Sequence, residues 1–225
     1  MTIAQEIRKT VDLVRQQVAD LHAELPRNGL VVWTAGNISA RVPDAELLVI
    51  KPSGVPYDDL TAEQMVVTDL HGRIVEGFAA PSSDTAAHAY VYRHMPGVGG
   101  VVHTHSSYAC AWSALGIPVP CVLTMMADEF GGAIPNGPYA PIGDDSIGRG
   151  IVETLRSSRS TAVLMQNHGP FTIGTTARAA VKAAVMCEEV CRAVYLIRQM
   201  GEPIPICQTD IDALYDRYQH AYGQR

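Results

Sequence analysis

Aromatic residues are scarce in this 225-residue chain, 6% of the total, and basic residues are outnumbered, 17 Lys and Arg against 23 Asp and Glu. The first shortage leaves little material for a platform that stacks single-stranded nucleic acid. The second gives a formal charge of −6. That charge argues against nucleic acid or an anionic membrane as a partner held by bulk electrostatics, while leaving room for a local basic site. No stretch approaches the roughly 18 uncharged apolar residues of a membrane-spanning helix. The opening residues MTIAQEIRKTVDLVRQQ carry charges through their first turns, where a secretory leader would have its apolar region. Five cysteines, an odd number with no C-x-x-C pair, make no disulfide framework. Cys187 and Cys191, four apart on a helical pattern, are expected to be buried free thiols sharing a face, in the reducing cytoplasm. Internal repeats and linker-like stretches are missing too, so a single domain over residues 1–225 is expected. What is present, 47% hydrophobic and 18% charged residues, suffices to bury a sizeable core.

Apolar residues at Ile3, Ile7, Val11, Val14, Val18, Leu21 and Leu25 step by threes and fours, which predicts an amphipathic opening helix. Pro26 and Asn28-Gly29 should end it. In LVVWTAGNISARV short apolar runs flank a glycine-asparagine turn, and ELLVIKPSG reads as a strand entering a loop. Met65–Thr68 and Arg73–Glu76 flank His71-Gly72 as a hairpin. Asp84 to His94 reads as a helix with Ser82 or Ser83 as its N-cap. After Gly99-Gly100 come a β-rich VVHTH, a helical SSYACAWSAL and, later, TAVLMQNHGPFTIG as two strands joined by a tight His-Gly-Pro loop. Residues 176–199 predict the longest helix and 209–220 a shorter one. The pattern is that of one α/β domain.

His103-Thr104-His105 falls in the strand-like run. Side chains at i and i+2 of a strand share a face, with Cα atoms about 7 Å apart, so two imidazoles can converge on one cation. His168, in the rigid Asn-His-Gly-Pro turn, is the candidate third ligand. Three histidines with an open position make the pattern of catalytic zinc. Asp84, directly after Pro-Ser-Ser, is the candidate fourth ligand, and His88, four residues further on, competes with it. His22, His71, His94 and His220 read as surface residues.

Gly36-Asn37, Ser53-Gly54 and Ser82-Ser83 are short loops of small and hydroxyl-bearing residues. Glycine admits close backbone approach, serine supplies donors, and Ser82-Ser83 precede a helix N-terminus, which favours an anion. Lys51 adds a positive charge two residues before Ser53. Together with a metal these loops suggest a phosphorylated small substrate.

The ordered set GNISAR, IKPSGVPYDDL, RIVEG, PSSDTAAH, VVHTHSSYA, NHGPF and AYGQ, spanning residues 36–224, resembles the class II aldolase and adducin-head family, which includes sugar-phosphate aldolases and pentulose-phosphate 4-epimerases. The resemblance implies a central, mostly antiparallel sheet flanked by helices. It implies Zn2+, or another divalent ion such as Mn2+ or Co2+, on His103, His105 and His168, with Asp84 as the carboxylate ligand of the epimerase branch. Gly36, Asn37, Lys51, Ser53, Gly54, Ser82 and Ser83 would hold the substrate phosphate.

Within that family the chain is most similar to L-ribulose-5-phosphate 4-epimerases. Asp84 stands where fuculose-phosphate aldolases usually have glutamate, Met126-Ala127-Asp128 supplies an epimerase-like aspartate, and Thr124 occupies the place of an aldolase tyrosine. IPNGPYAPIG points the other way, to the aldolases. The implied reaction interconverts L-ribulose 5-phosphate and D-xylulose 5-phosphate by breaking and remaking C3–C4. Asp128 and Tyr222 would be the two proton-transfer groups, one on each side of the substrate. Tyr222 would serve a neighbouring protomer of a homotetramer whose sites lie at subunit interfaces. The alternatives are an aldolase acting on a ketose 1-phosphate such as L-fuculose 1-phosphate, and a non-catalytic adducin-like binding module. The latter is disfavoured because all three histidines are present.

Overall fold

Leu47, Leu48, Val49 and Ile50 are buried on both faces of one strand, and this explains the shape of the whole molecule. Alternate side chains of a strand point to opposite faces, so an unbroken apolar run needs cover on both. Leu47 and Val49 pack with Ile38, Val102 and Val67 against the opening helix and the long helix near residue 180. Leu48 and Ile50 pack with Val101, Phe171 and Ile173 against the helices that carry Val91 and Ile151. The result is a three-layer sandwich of helix, sheet and helix.

The computed structural model describes Ile3 and residues 5–221. Its helices are α1 (Gln5–His22), α2 (Glu24–Arg27), α3 (Thr85–His94), α4 (Ser107–Leu115), α5 (Thr124–Phe130), α6 (Ser146–Leu155), α7 (Ala177–Met200) and α8 (Gln208–Ala221). Its strands are β1 (Asn37–Arg41), β2 (Leu47–Ile50), β3 (Val66–Asp69), β4 (Ile74–Glu76), β5 (Gly100–His103), β6 (Asn136–Gly137), β7 (Ala162–Met165) and β8 (Gly169–Gly174). They form one sheet in the order β4-β3-β2-β1-β5-β8-β7-β6. Every pairing is antiparallel except β6 with β7, as the mostly antiparallel expectation required.

Register sets the site. Asn37 at the start of β1 lies opposite His103 at the end of β5. His103 in turn lies opposite Phe171 near the start of β8. Three antiparallel neighbours therefore deliver their polar ends to one edge of the sheet. A third apolar cluster, where α4 and α5 pack on α7, contains the buried free thiols Cys187 and Cys191.

Several local expectations need correction. α1 stops at His22 and the chain re-enters a short helix, α2, that contains Pro26; proline is accommodated in a first helical turn, where its missing N–H is not needed. His22 is buried, not a surface residue. Its Nδ1–H donates to the Val18 carbonyl at 2.6 Å and its Nε2 accepts from the Ile38 N–H at 3.0 Å. The N-cap of α3 is Asp84, since Thr85 is the first helical residue. Ser82 instead accepts from Thr85 through its carbonyl. Asn37, read as part of a glycine-asparagine turn, is the first residue of β1.

Candidate metal centre and active site

β5 ends at His103, so His105 is not on the strand as the alternation suggested; it lies in the turn leading into α4. That turn is fixed from a distance. Both oxygens of Glu188 on α7 accept the first backbone N–H groups of α4, from Tyr108 and Ala109, at 2.9 Å each, which is favourable at a helix N-terminus. His168 arrives from the turn between β7 and β8, after Asn167 in the left-handed region at φ 57°.

The three imidazoles meet. One ring nitrogen from each of His103, His105 and His168 lies within 4.8 Å of the other two, and Nε2 of His105 is 2.9 Å from Nε2 of His103. His103 is stacked on Phe171 at 4.1 Å between centroids. Its Nδ1 is 3.0 Å from the Pro170 carbonyl. A carbonyl only accepts, so Nδ1 carries the proton and Nε2 presents its lone pair to the cluster, the tautomer a metal ligand needs. Burial pushes the His103 imidazole down to about 3 and lowers that of His168, so both stay neutral and able to ligate near neutral pH.

Asp84 is buried beside them. Burial pushes its carboxyl up, but the imidazoles of His103 and His88, the Asn37 amide and His168 outweigh that effect and hold it below the usual range. Asn37 Nδ2 donates to Oδ2 at 2.8 Å, whereas Oδ1 is buried without a hydrogen-bond partner. Three converging imidazoles form a group that could hold a metal ion; Asp84 lies outside that group of mutual neighbours, although its carboxyl feels the imidazoles of His103 and His168. The residues present fit the metal. His88 does not join the cluster of three; its ring is buried and its Nδ1 bonds Ser39 Oγ at 2.8 Å.

A cavity of about 310 Å³ opens on this cluster. Asp84, His105 and His168 line one part, and Gly36, Asn37, Lys51, Ser53, Gly54, Ser82 and Ser83 are among the residues that line the rest. Residues read as an anion site from separate segments of the chain thus share one wall. Gly36 has φ +82°, and a Cβ there would come within 2.7 Å of Val31 and 2.9 Å of the His103 carbonyl, so no other residue fits without displacement. Lys51 is buried. Its Nζ lies 3.4 Å from the Thr34 carbonyl and 3.3 Å from the Pro52 carbonyl and 5.4 Å from the Tyr57 ring centre. Burial lowers its pKa. A cation held in such a pocket is poised for an anionic ligand.

Asp128 does not line this cavity. It sits on α5, and its Oδ1 is 3.4 Å from the Arg217 guanidinium of α8. Tyr222 lies outside the described residues. Sequence reasoning missed Ile142, which lines the cavity while 59% exposed; nothing in its pattern distinguished it from other loop residues. It also missed Glu188, whose role depends on a contact 79 residues distant. Among the described residues, no helix is long and apolar enough to cross a membrane.

The fold agrees with those of known proteins. An L-fuculose 1-phosphate aldolase superposes with a TM-score of 0.86 at 24% identity, over 92% of this chain and 96% of its own, a likeness of fold. YgbL of Klebsiella pneumoniae, described as an aldolase/epimerase/decarboxylase without a choice among the three, is 28% identical over 91% of this chain and 98% of its own, with a TM-score of 0.81. The L-fuculose-1-phosphate aldolase of Thermus thermophilus is 26% identical over 88% of this chain and 100% of its own, with a TM-score of 0.69. The sequence model of the family described as Class II Aldolase and Adducin N-terminal domain matches residues 16–195, and the chain belongs to that family.

Proposed function

We propose that this protein is a metal-dependent lyase that cleaves the C3–C4 bond of a phosphorylated ketose. The observation that supports it best is the sharing of one cavity by the histidine cluster and the Lys51–serine wall. His103, His105 and His168 would hold a divalent cation, Zn2+ being the usual choice for three imidazoles and a carboxylate, with Asp84 as the fourth donor. Bound there, the cation would supply electrostatic stabilisation of the negative charge that a retro-aldol cleavage leaves on the ketose fragment.

The protein's own residues do the rest. Lys51, Ser53, Ser82 and Ser83 bind the phosphate and so fix the distance from phosphate to reacting carbons. The backbone N–H groups beside Gly36 and Gly54 add donors that need no side-chain reorganisation. Asn37 holds one oxygen of Asp84 and, at 2.9 Å, Ser82 Oγ, so one amide ties the carboxylate to the anion wall. The similarity to a fuculose-phosphate aldolase at 26% identity supports aldehyde release as the outcome.

A second reading, 4-epimerisation of L-ribulose 5-phosphate, is favoured by aspartate at position 84 and by Met126-Ala127-Asp128. It requires proton-transfer groups on both sides of the substrate. Since Asp128 stands outside its own chain's cavity, this reading needs Asp128 and Tyr222 of a neighbouring copy, in a homotetramer, at the cavity mouth. Incubation of metal-loaded protein with each sugar phosphate separates the two. Dihydroxyacetone phosphate and lactaldehyde from L-fuculose 1-phosphate support the lyase. D-xylulose 5-phosphate from L-ribulose 5-phosphate, with no free aldehyde, supports the epimerase. No reaction with either, and no metal bound, would leave the adducin-like binding module.

A further inference from the structure

His88 is a buried imidazole that the proposed chemistry does not use. It sits one helical turn after Asp84, and its backbone N–H donates to the Asp84 carbonyl at 3.0 Å. β1 matches this spacing. Asn37 and Ser39, two apart and therefore on one face, each take hold of one of the pair: Asn37 the Asp84 carboxylate at 2.8 Å, Ser39 the His88 Nδ1 at 2.8 Å. Ser39 Oγ is also 2.8 Å from the buried Tyr92 hydroxyl. Two buried atoms of this pair are left without hydrogen-bond partners, Oδ1 of Asp84 and Nε2 of His88.

The direction of the hydroxyl chain decides what that means. A neutral imidazole has one N–H. If Nδ1 donated to Ser39, Nε2 would add a bare lone pair to the surroundings of a carboxylate, and the two would repel. If instead Tyr92 donates to Ser39 and Ser39 donates to Nδ1, each hydroxyl gives one proton and accepts at most one, and Nε2 keeps the N–H. Phe171, edge-on to His88 at 6.1 Å, offers no hydrogen-bond acceptor of comparable strength.

We propose that His88 is a positioning residue for the metal centre: the Tyr92–Ser39 chain keeps its proton on Nε2, and that N–H steadies the free oxygen side of Asp84 towards the three imidazoles. This rests on the reading of Asp84 and the histidines as metal ligands. Groups that orient ligands from behind tune metal affinity by roughly ten- to a hundredfold.

The test is Co2+ binding to metal-stripped protein, read by competition with a chromophoric chelator and by the visible absorption of bound Co2+. His88→Leu is expected to weaken Co2+ affinity by roughly ten- to a hundredfold and to alter the spectrum. His88→Gln, which keeps an N–H near the Nε2 position, should recover most of the affinity. Ser39→Ala, a small change that cuts the chain and keeps the protein folded should His88→Leu not fold, should weaken binding several-fold. If His88→Leu or Ser39→Ala is folded, thermally less stable, and binds Co2+ with unchanged affinity and spectrum, His88 serves packing alone and the proposal falls. If the unmodified protein binds no Co2+, the metal reading falls first and this one with it.

Discussion

Asn37 Nδ2 and Asp84 Oδ2 are joined by a 2.8 Å hydrogen bond across 47 residues of sequence, and the same amide donates to Ser82 Oγ at 2.9 Å. One side chain at the start of a strand therefore couples the Asp84 carboxylate to the serine loop that shares its cavity. Asn37→Ala should leave a buried carboxylate short of a donor, at a cost of about 1–3 kcal/mol. Thermal unfolding should show the loss, and metal affinity should fall with it. Unchanged metal affinity would separate Asp84 from the cation.

Lys51 brings a buried positive charge with carbonyl contacts but no acid partner among its hydrogen bonds. Lys51→Met should raise KM for a phosphorylated ketose by roughly ten- to a hundredfold, the range expected for a charge-assisted hydrogen bond of about 1.5–3 kcal/mol, while changing kcat much less. Steady-state kinetics on the phosphorylated substrate gives the answer, and an equal loss in kcat with KM unchanged would remove Lys51 from phosphate binding.

Acid should destabilise the fold through its buried histidines. Burial pushes His22 down to about 3 and His88 down to about 4, from 6.5. Below about pH 6.5 the unfolded chain takes up protons that the folded chain refuses, so stability is complete above that value. It is lost as pH falls towards 4 and then 3, by up to about 1.4 kcal/mol per pH unit for each histidine. His22 has a specific reason: protonation at Nε2 would set two donors, the ring and the Ile38 N–H, against each other. Urea unfolding near pH 7 and near pH 5 should show the decline, and His22→Gln should flatten it. An equally steep decline in that variant would clear His22 of the effect.

Asp128→Asn distinguishes the two sugar-phosphate reactions. Asp128 faces Arg217 and stands apart from its own chain's cavity, so a lyase confined to that cavity should keep its rate within about threefold, as expected of a residue that touches no reacting group. An epimerase that borrows Asp128 from a neighbour should lose about a hundredfold or more, the usual contribution of a proton-transfer group. Tyr222→Phe should follow the same pattern.

Much of this was legible because the site is built from short local motifs. The i, i+2 histidines, the Asn-His-Gly-Pro turn and the Ser-Ser-Asp before α3 each announce their chemistry, and the antiparallel register then brings them together. The strand alternation predicts that the His103 and His105 rings converge, and they do, but not for that reason, because β5 ends before His105 and the turn into α4 places that ring. His22 reads as a surface residue in the sequence because its partners are a carbonyl one turn back and an amide in β1, contacts that no hydrophobic pattern encodes. The N-cap position of α3 lies one residue beyond the expected serines, at Asp84, whose carboxylate makes no capping hydrogen bond and is turned to Asn37 instead, a contact that no local pattern encodes. α5 spans only 7 residues, too few for a helical period to show, and so the surroundings of Asp128 emerge only in the structure.

Metal content is the most direct check on three imidazoles sharing one ion. Protein purified without chelator, and its His103→Ala counterpart, should be analysed by elemental mass spectrometry after gel filtration. About one divalent ion per chain in the former and a negligible amount in the latter is expected. Equal metal content in both, or none in either after incubation with excess Zn2+, Mn2+ and Co2+, would contradict it.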